Sequence, residues 1–227
     1  MFEANAVWVE RQTYILSFAV RWAHEKRTKV YTLPDYPLYK IDPHNDRSLC
    51  DDLFKVLDEA DIIIAHNGDN FDLKKIHSRL AAHNLKPPAP YRTIDTLKIS
   101  RRVFKWDSNK LDNLGRYLGV GRKLPHTGAD LWRGCVNGDP KSWALMARYN
   151  RQDVDLLMAV FDRIKMWAPN LPDLRVYTGA KVGCPTCLST NVQRRGFNVA
   201  RTRKTERFQC QDCGAWHTGA TIKAEAA

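Results

Sequence analysis

The pattern of apolar and polar positions changes character three times along the chain. Residues 6–11 ("AVWVER"), 13–21 ("TYILSFAVR") and 28–33 ("TKVYTL") are short and rich in β-branched and aromatic side chains, and they predict an antiparallel meander. "RSLCDDLFKVLDEA" then sets Leu49, Leu53, Val56 and Leu57 on one side of a helix. The run Ile62-Ile63-Ile64-Ala65 is apolar without alternation, which predicts a strand at 61–66 buried on both faces. It ends in His66 and Asn67 and turns through Gly68, Asp69 and Asn70, where turn and N-cap chemistry is expected. Helical spacing resumes at Leu73, Ile76 and Leu80, giving a helix over 71–84. "YRTIDTLKISRRVF" predicts a short strand running into a helix, and "SNKLDNLGRYLGVG" a capped helix ended by glycine. A long helix spans Pro140 to Trp167. Strands first, then strand and helix in alternation, imply one mixed-sheet α/β domain over residues 1–168.

Within the long helix, Leu145, Tyr149, Asp153, Leu157, Val160, Phe161 and Ile164 are spaced three or four apart and share a face. Asp153 therefore points with apolar neighbours toward the core, while Asp155 and Asp162 lie off that face and read as solvated. A carboxylate so placed needs hydrogen-bond donors or a cation. Tyr149, one turn earlier, sets a phenol beside it. A neighbouring loop could also satisfy Asp153 without any chemistry, and the same reading covers Asp72 taken alone.

After Trp167 the period disappears. Residues 169–180 read as a linker, with Pro and no regular spacing. Of the six cysteines, Cys50 and Cys135 are isolated, whereas Cys184/Cys187 and Cys210/Cys213 form two Cys-x-x-Cys pairs with 22 residues between them. Four thiolates in that arrangement suit tetrahedral Zn²⁺, and the strand-helix context of a redox Cys pair is missing. "RRGFNVARTRKTERFQC" alternates enough for a hairpin that brings the pairs together, so residues 181–219 resemble a zinc ribbon, with 220–227 as a tail. His217 is a nearby ligand type that the site does not need.

The chain carries a formal charge of +11, which favours a polyanionic partner, nucleic acid before a membrane surface. From Lys181 onward eight Lys/Arg face three Asp/Glu, with Phe197, Phe208 and Trp216 interleaved, a composition suited to phosphate contact and base stacking. Neither a secretory leader nor an apolar run of spanning length is visible, so a cytoplasmic protein without a membrane partner is expected.

"NGDNFD" from Asn67 to Asp72, followed by "YNRQD" from Tyr149 to Asp153, resembles the second and third motifs of the DEDD family of 3′→5′ exonucleases, tyrosine subclass, within the RNase H-like superfamily. "ADIIIAHN", "TIDTLK" and "LWRGCVNGDPKSWALMARYNRQDV" extend the likeness to predicted phage and bacterial exonucleases over nearly all of residues 1–167. The resemblance implies an RNase H-like mixed sheet flanked by helices and a site holding two Mg²⁺ or Mn²⁺ ions, with DNA as the substrate, as single strands or 3′ ends. It also implies that Asp72 and Asp153 are metal ligands and that Tyr149 positions the attacking water. Asn67 would end its strand at the site and Phe71 would pack on terminal nucleotides. His66 reads as a satisfied strand-end histidine and Asp95 as structural or supporting.

The family's first motif, an Asp-x-Glu on the central strand, has no counterpart here: the chain opens "MFEANAVWVE", and neither Glu3 nor Glu10 has the right spacing. The expectation is a sheet lacking its central strand and a Met1 internal to a longer reading frame. Asp-x-Glu would then be encoded about ten to twenty residues upstream. Three functions remain open on the residues: a 3′→5′ exonuclease, a catalytically inactive nucleic-acid-binding relative, and an RNase H-like endonuclease or transposase-type enzyme.

Overall fold

A computed structural model describes residues 12–125 and 128–223. The first stretch read as strand, residues 6–11, lies outside the described residues, as do Glu3 and Glu10. Two strands of the meander are present, β1 (Ser17–Val20) and β2 (Lys29–Thr32), paired antiparallel with Phe18 opposite Tyr31. Those two rings stack 4.5 Å apart, a cross-strand contact that fixes the register. The expected strand over 13–21 is shorter at its start. Ile15 donates its N–H to Asp46 instead of to a strand partner, so the chain ahead of β1 is tied to a side chain.

Helix α1 (Arg47–Glu59) leads into β3 (Ile62–Ala65), α2 (Asp72–Ala82), β4 (Arg92–Asp95) and α3 (Thr96–Val103). β3 and β4 pair in parallel, Ile62 opposite Arg92 through Ala65 opposite Asp95. Among the described residues no ladder joins β1 to β3, so two separate two-stranded sheets stand where one mixed sheet is expected. β3 is accordingly half-buried along its whole length, short of the full burial its unbroken apolar run predicts.

Helices α4 (Leu111–Tyr117), α5 (Ala129–Val136) and α6 (Pro140–Ile164) complete this part. Asp139 caps α6 by accepting the N–H groups of Lys141 and Ser142, with Pro140 at the first helical position. α6 is the spine of the molecule. Its first half packs Trp143 and Met146 with Leu33, Leu49, Leu131 and Cys135. Its second half packs Leu156, Val160, Phe161 and Ile164 with Ile94, Ile99, Leu111 and Leu114. Trp143, Met146 and Leu156 are thus core positions outside the face read from the spacing, and Leu145, Tyr149 and Leu157 are half-buried at its edge. A third cluster, Cys50, Leu53, Leu57, Leu73 and Leu80, joins α1 to α2.

Asp155, off that face, keeps 41% of its side chain exposed and is also paired. It accepts from Thr28 Oγ1 at 2.6 Å and from Arg21 Nη1 at 3.1 Å, fastening α6 to the β1–β2 connection. Asp162 is exposed, paired with Lys165 one turn away.

The stretch read as linker contains a short helix, α7 (Leu174–Thr178), capped by Asp173. Beyond it lie β5 (Val192–Val199), β6 (Arg203–Cys210) and β7 (Trp216–Lys223), an antiparallel sheet in that order. The hairpin expected between the cysteine pairs is β5–β6. Residues 224–227, most of the tail, lie outside the described residues. Among the described residues no helix is long and apolar enough to cross a membrane.

Candidate functional site

The carboxyl ends of the parallel pair β3 and β4 open onto one side of α6, the place where α/β sheets present ligand-binding loops. Asn67 leaves β3 with φ 65°, a left-handed backbone that Asn tolerates better than most side chains. Gly68 must follow, because a Cβ there would sit 2.4 Å from the Cβ of Ala65. Asn67 N donates to Asp95 Oδ1 at 2.8 Å, and the same oxygen caps α3 through Leu97 N at 2.9 Å. Asp95 Oδ2 is buried without a partner. Its role is to brace both strand ends.

His66 has both ring nitrogens engaged, Nδ1 with Thr96 Oγ1 at 2.9 Å and Nε2 with the Asn109 carbonyl at 3.0 Å. Burial lowers its pKa, so it is a neutral, satisfied side chain. The turn does not supply the side-chain N-cap expected of Asp69 or Asn70. Asp69 pairs with Lys98 at 2.5 Å, and Phe71 occupies the N-cap position without a side-chain bond. Phe71 is left 58% exposed beside Asp72, the first residue of α2.

Asp72 is an exposed residue in the first turn of α2. The protein packed round it desolvates the carboxylate, and with the charge of Asp95 this raises its pKa above the ordinary range, Lys123 working in the opposite sense. From α6, Asp153 lies between the two core clusters with its side chain 23% exposed. Its Oδ2 accepts from Lys123 Nζ at 2.7 Å, and its Oδ1 is buried without a partner. The Tyr149 hydroxyl is 3.4 Å from the same ammonium. Burial and then the charge of Asp153 raise the Tyr149 phenol, so it is protonated at neutral pH.

Lys123 is the residue that spacing arguments miss. It sits in a loop with no period, it contacts Tyr149 and Asp153, and its charge is felt at Asp72. The loop is held in three ways. Gly121 takes φ 139°, Lys123 N donates to Asp112 Oδ1 at 2.8 Å, and Gln152 Nε2 on α6 donates to the Arg122 carbonyl at 3.0 Å. Burial disfavours the ammonium, but the hydrogen bond and charge of Asp153 outweigh it and raise the Lys123 pKa. Beside these groups a cavity of about 690 Å³ is lined by His66, Asn67, Arg101, Lys110, Lys123 and Tyr149 among others.

Hard oxygen donors, one of them a buried carboxylate oxygen with no hydrogen bond, fit a divalent cation such as Mg²⁺ or Mn²⁺. Asp72 and Asp153 are the residues that could hold it. Among the described residues they do not close with a third acid into a tight three-donor cluster.

The four paired cysteines do close. All four sulfurs lie within 4.8 Å of one another, with Cys184 and Cys213 at 3.7 Å and Cys187 and Cys210 at 3.6 Å. A tetrahedral ion with Zn–S of about 2.3 Å sets sulfurs about 3.8 Å apart, so the geometry is compatible with zinc. The two turns repeat each other. Leu188 N donates to Cys184 O as Gly214 N does to Cys210 O, and Cys184 N donates to Ser189 O as Cys210 N does to Ala215 O. Leu188 and Gly214 share a left-handed backbone, φ 66° and 77°. Burial opposes the Cys210 thiolate, but backbone N–H groups of Cys213 and Asp212 bring its pKa down to about 7. His217 is outside the cluster and stacks on Phe208 at 5.5 Å.

A second group, Asp46, Cys50 and His83, also comes within ligating distance. Asp46 is already saturated there by Arg79, His83 and Ile15 N, and burial pushes the Cys50 thiol up to about 12. This is a structural ion pair.

The family model RNase_H_2, of the RNase_H superfamily, matches residues 3–165. The matched span contains α1 to α6 and every group around Lys123, and it ends before the cysteine cluster. No curated protein matches the chain.

Proposed function

Because the chain belongs to the RNase H superfamily, we propose that it is a metal-dependent 3′→5′ exonuclease acting on DNA, of the DEDD tyrosine subclass. The observation that carries this reading is that Tyr149 and Asp153 of α6 meet at Lys123 beside a cavity lined by His66 and Asn67, at the end of the strand that leads into Asp72. Two divalent ions, when bound, supply the activated water and neutralise the leaving oxygen of an in-line phosphodiester cleavage. The residues of the chain do the rest. Asp72 and Asp153 present carboxylate oxygens, and the Asp153 oxygen without a hydrogen bond is free to ligate. Tyr149 keeps its proton and orients the water through its hydroxyl. Phe71, exposed beside Asp72, stacks against a terminal base. Asn67 shapes the strand end against which the terminal nucleotide lies.

In the same proposal, residues 1–168 form the nuclease domain and 181–219 a zinc ribbon, with Cys184, Cys187, Cys210 and Cys213 as the ligands. The ribbon's basic sheet binds nucleic acid and raises the local concentration of DNA ends. Phe197 lies between Arg194 and Lys204, 4.7 and 4.9 Å from its ring, and Arg207 lies 5.5 Å from the ring of Trp216, itself 54% exposed. Cations placed beside aromatic rings suit a single strand, whose phosphates and bases alternate.

The test is digestion of end-labelled single-stranded DNA with Mg²⁺, using the protein as its gene encodes it, any in-frame upstream codons included. Stepwise shortening from the 3′ end that Asp153→Asn abolishes is the expected result. Internal cuts would replace the reading with an endonuclease, and binding without cutting would replace it with an inactive relative.

A further inference from the structure

Lys123 has no part in the roles assigned so far, yet Asp153 and Tyr149 both meet at its ammonium. The ammonium is delivered by the framework, since the backbone ties to Asp112 and Gln152 hold the loop from both α4 and α6. Nζ lies 2.7 Å from Asp153 Oδ2, 3.4 Å from the Tyr149 hydroxyl and 5.4 Å from the centroid of that ring. Its side chain is 32% exposed and that of Asp153 23%, so the pair is screened less than one fully in solvent.

A divalent ion ligated by Asp153 would have this ammonium at hydrogen-bond range from its own ligand. Like charges at that separation repel strongly, so entry of the ion requires the ammonium to withdraw. The four-carbon stem of lysine permits that withdrawal without moving the loop. We propose that Lys123 is a built-in competitor of the metal: it pairs with Asp153, holds that carboxylate oriented, and sets the concentration at which a divalent ion enters. The inference rests on the reading of Asp153 as a metal ligand. It makes Lys123 a positioning residue whose signature is metal affinity.

The experiment is titration of the whole chain with Mn²⁺, following free ion by electron paramagnetic resonance, in the absence of nucleic acid. Lys123→Met keeps the length of the side chain and removes the charge. It should tighten Mn²⁺ binding by about tenfold, the equivalent of one charge-assisted hydrogen bond. Lys123→Gln should shift it in the same direction, which guards against misfolding of one variant. Lys123→Arg keeps the charge and should stay within about twofold of the unchanged protein. If Asp153→Asn weakens Mn²⁺ binding while Lys123→Met leaves it unchanged or weaker, the competitor role is overturned and the metal site stands. If Asp153→Asn also leaves binding unchanged, the metal site falls and this inference falls with it.

Discussion

Replacing Asp46 by Asn removes a fully buried carboxylate that carries four hydrogen bonds. Asp46 has no exposed surface. It accepts from Arg79 Nη2 at 2.5 Å and Nε at 2.9 Å, from Ile15 N at 2.8 Å, and it meets His83 Nε2 at 2.6 Å. The bonds join the chain entering β1 to the last turn of α2, so they also hold the helix that carries Asp72. An amide keeps the shape and loses the charge, leaving a guanidinium that is itself mostly buried. Breaking one side of a buried pair costs about 3–5 kcal/mol, against about 5–15 kcal/mol for the whole of a typical domain. At about 2–4 °C per kcal/mol for a chain of this size, the melting temperature should fall by about 10 °C. The assay is thermal unfolding followed by circular dichroism. Adding Arg79→Met to Asp46→Asn should recover part of the loss, because the penalty lies in the orphaned charge. A double variant no more stable than the single would refute that account. The pH dependence gives a second check. Burial opposes the Asp46 charge, but Arg79, Ile15 N and His83 outweigh it and hold the pKa below the ordinary carboxyl value. Its contribution is therefore complete above about pH 4 and is lost as the pH falls through the depressed folded value. Asp46→Asn should show no such loss in that window.

Asp72→Asn should abolish metal-dependent cleavage yet stabilise the metal-free fold at neutral pH. The raised Asp72 pKa means that folding loses stability as the pH climbs from the ordinary carboxyl value through the folded one; melting curves at pH 4 and pH 8 against the unchanged protein check it. Tyr149→Phe should slow cleavage by about tenfold to a hundredfold while sparing Mn²⁺ affinity, because in the proposed mechanism the phenol orients water and does not ligate; loss of metal binding would reassign it. Cys210→Ser should leave the purified protein without its full complement of one Zn²⁺ by elemental analysis; full retention would remove the cysteine cluster from consideration as the site. Arg194→Ala with Arg207→Ala should reduce the salt slope of single-stranded DNA binding by about one to two units; an unchanged slope would give the sheet another partner.

What the sequence reveals and what it hides divides along a physical line. Periodicity reports burial, so the β-branched run at Ile62–Ala65, the helix after Phe71 and the two Cys-x-x-Cys turns were all legible, because each is a local device repeated within a few residues. α6 shows where that reading stops. The spacing from Leu145 to Ile164 names one apolar face, but the helix buries different residues in its two halves, Trp143 and Met146 in one cluster and Leu156, Val160 and Ile164 in the other. A single period cannot describe a helix that serves two cores. The changeover falls between Tyr149 and Asp153, which leaves both half-buried, shielded enough to perturb a phenol and open enough to meet a ligand. The polar pairings that hold the fold come from far along the chain. Lys123 reaches Asp153 across 30 residues, Asp155 holds Thr28 across 127, and Asp46 holds Arg79 across 33. None of these pairings carries a period, and the one at Asp46 places a charge where burial alone would forbid it. The seam between two well-packed clusters is thus a stretch of α6 where polar groups are held in fixed geometry without breaking a core, and Tyr149 and Asp153 sit there.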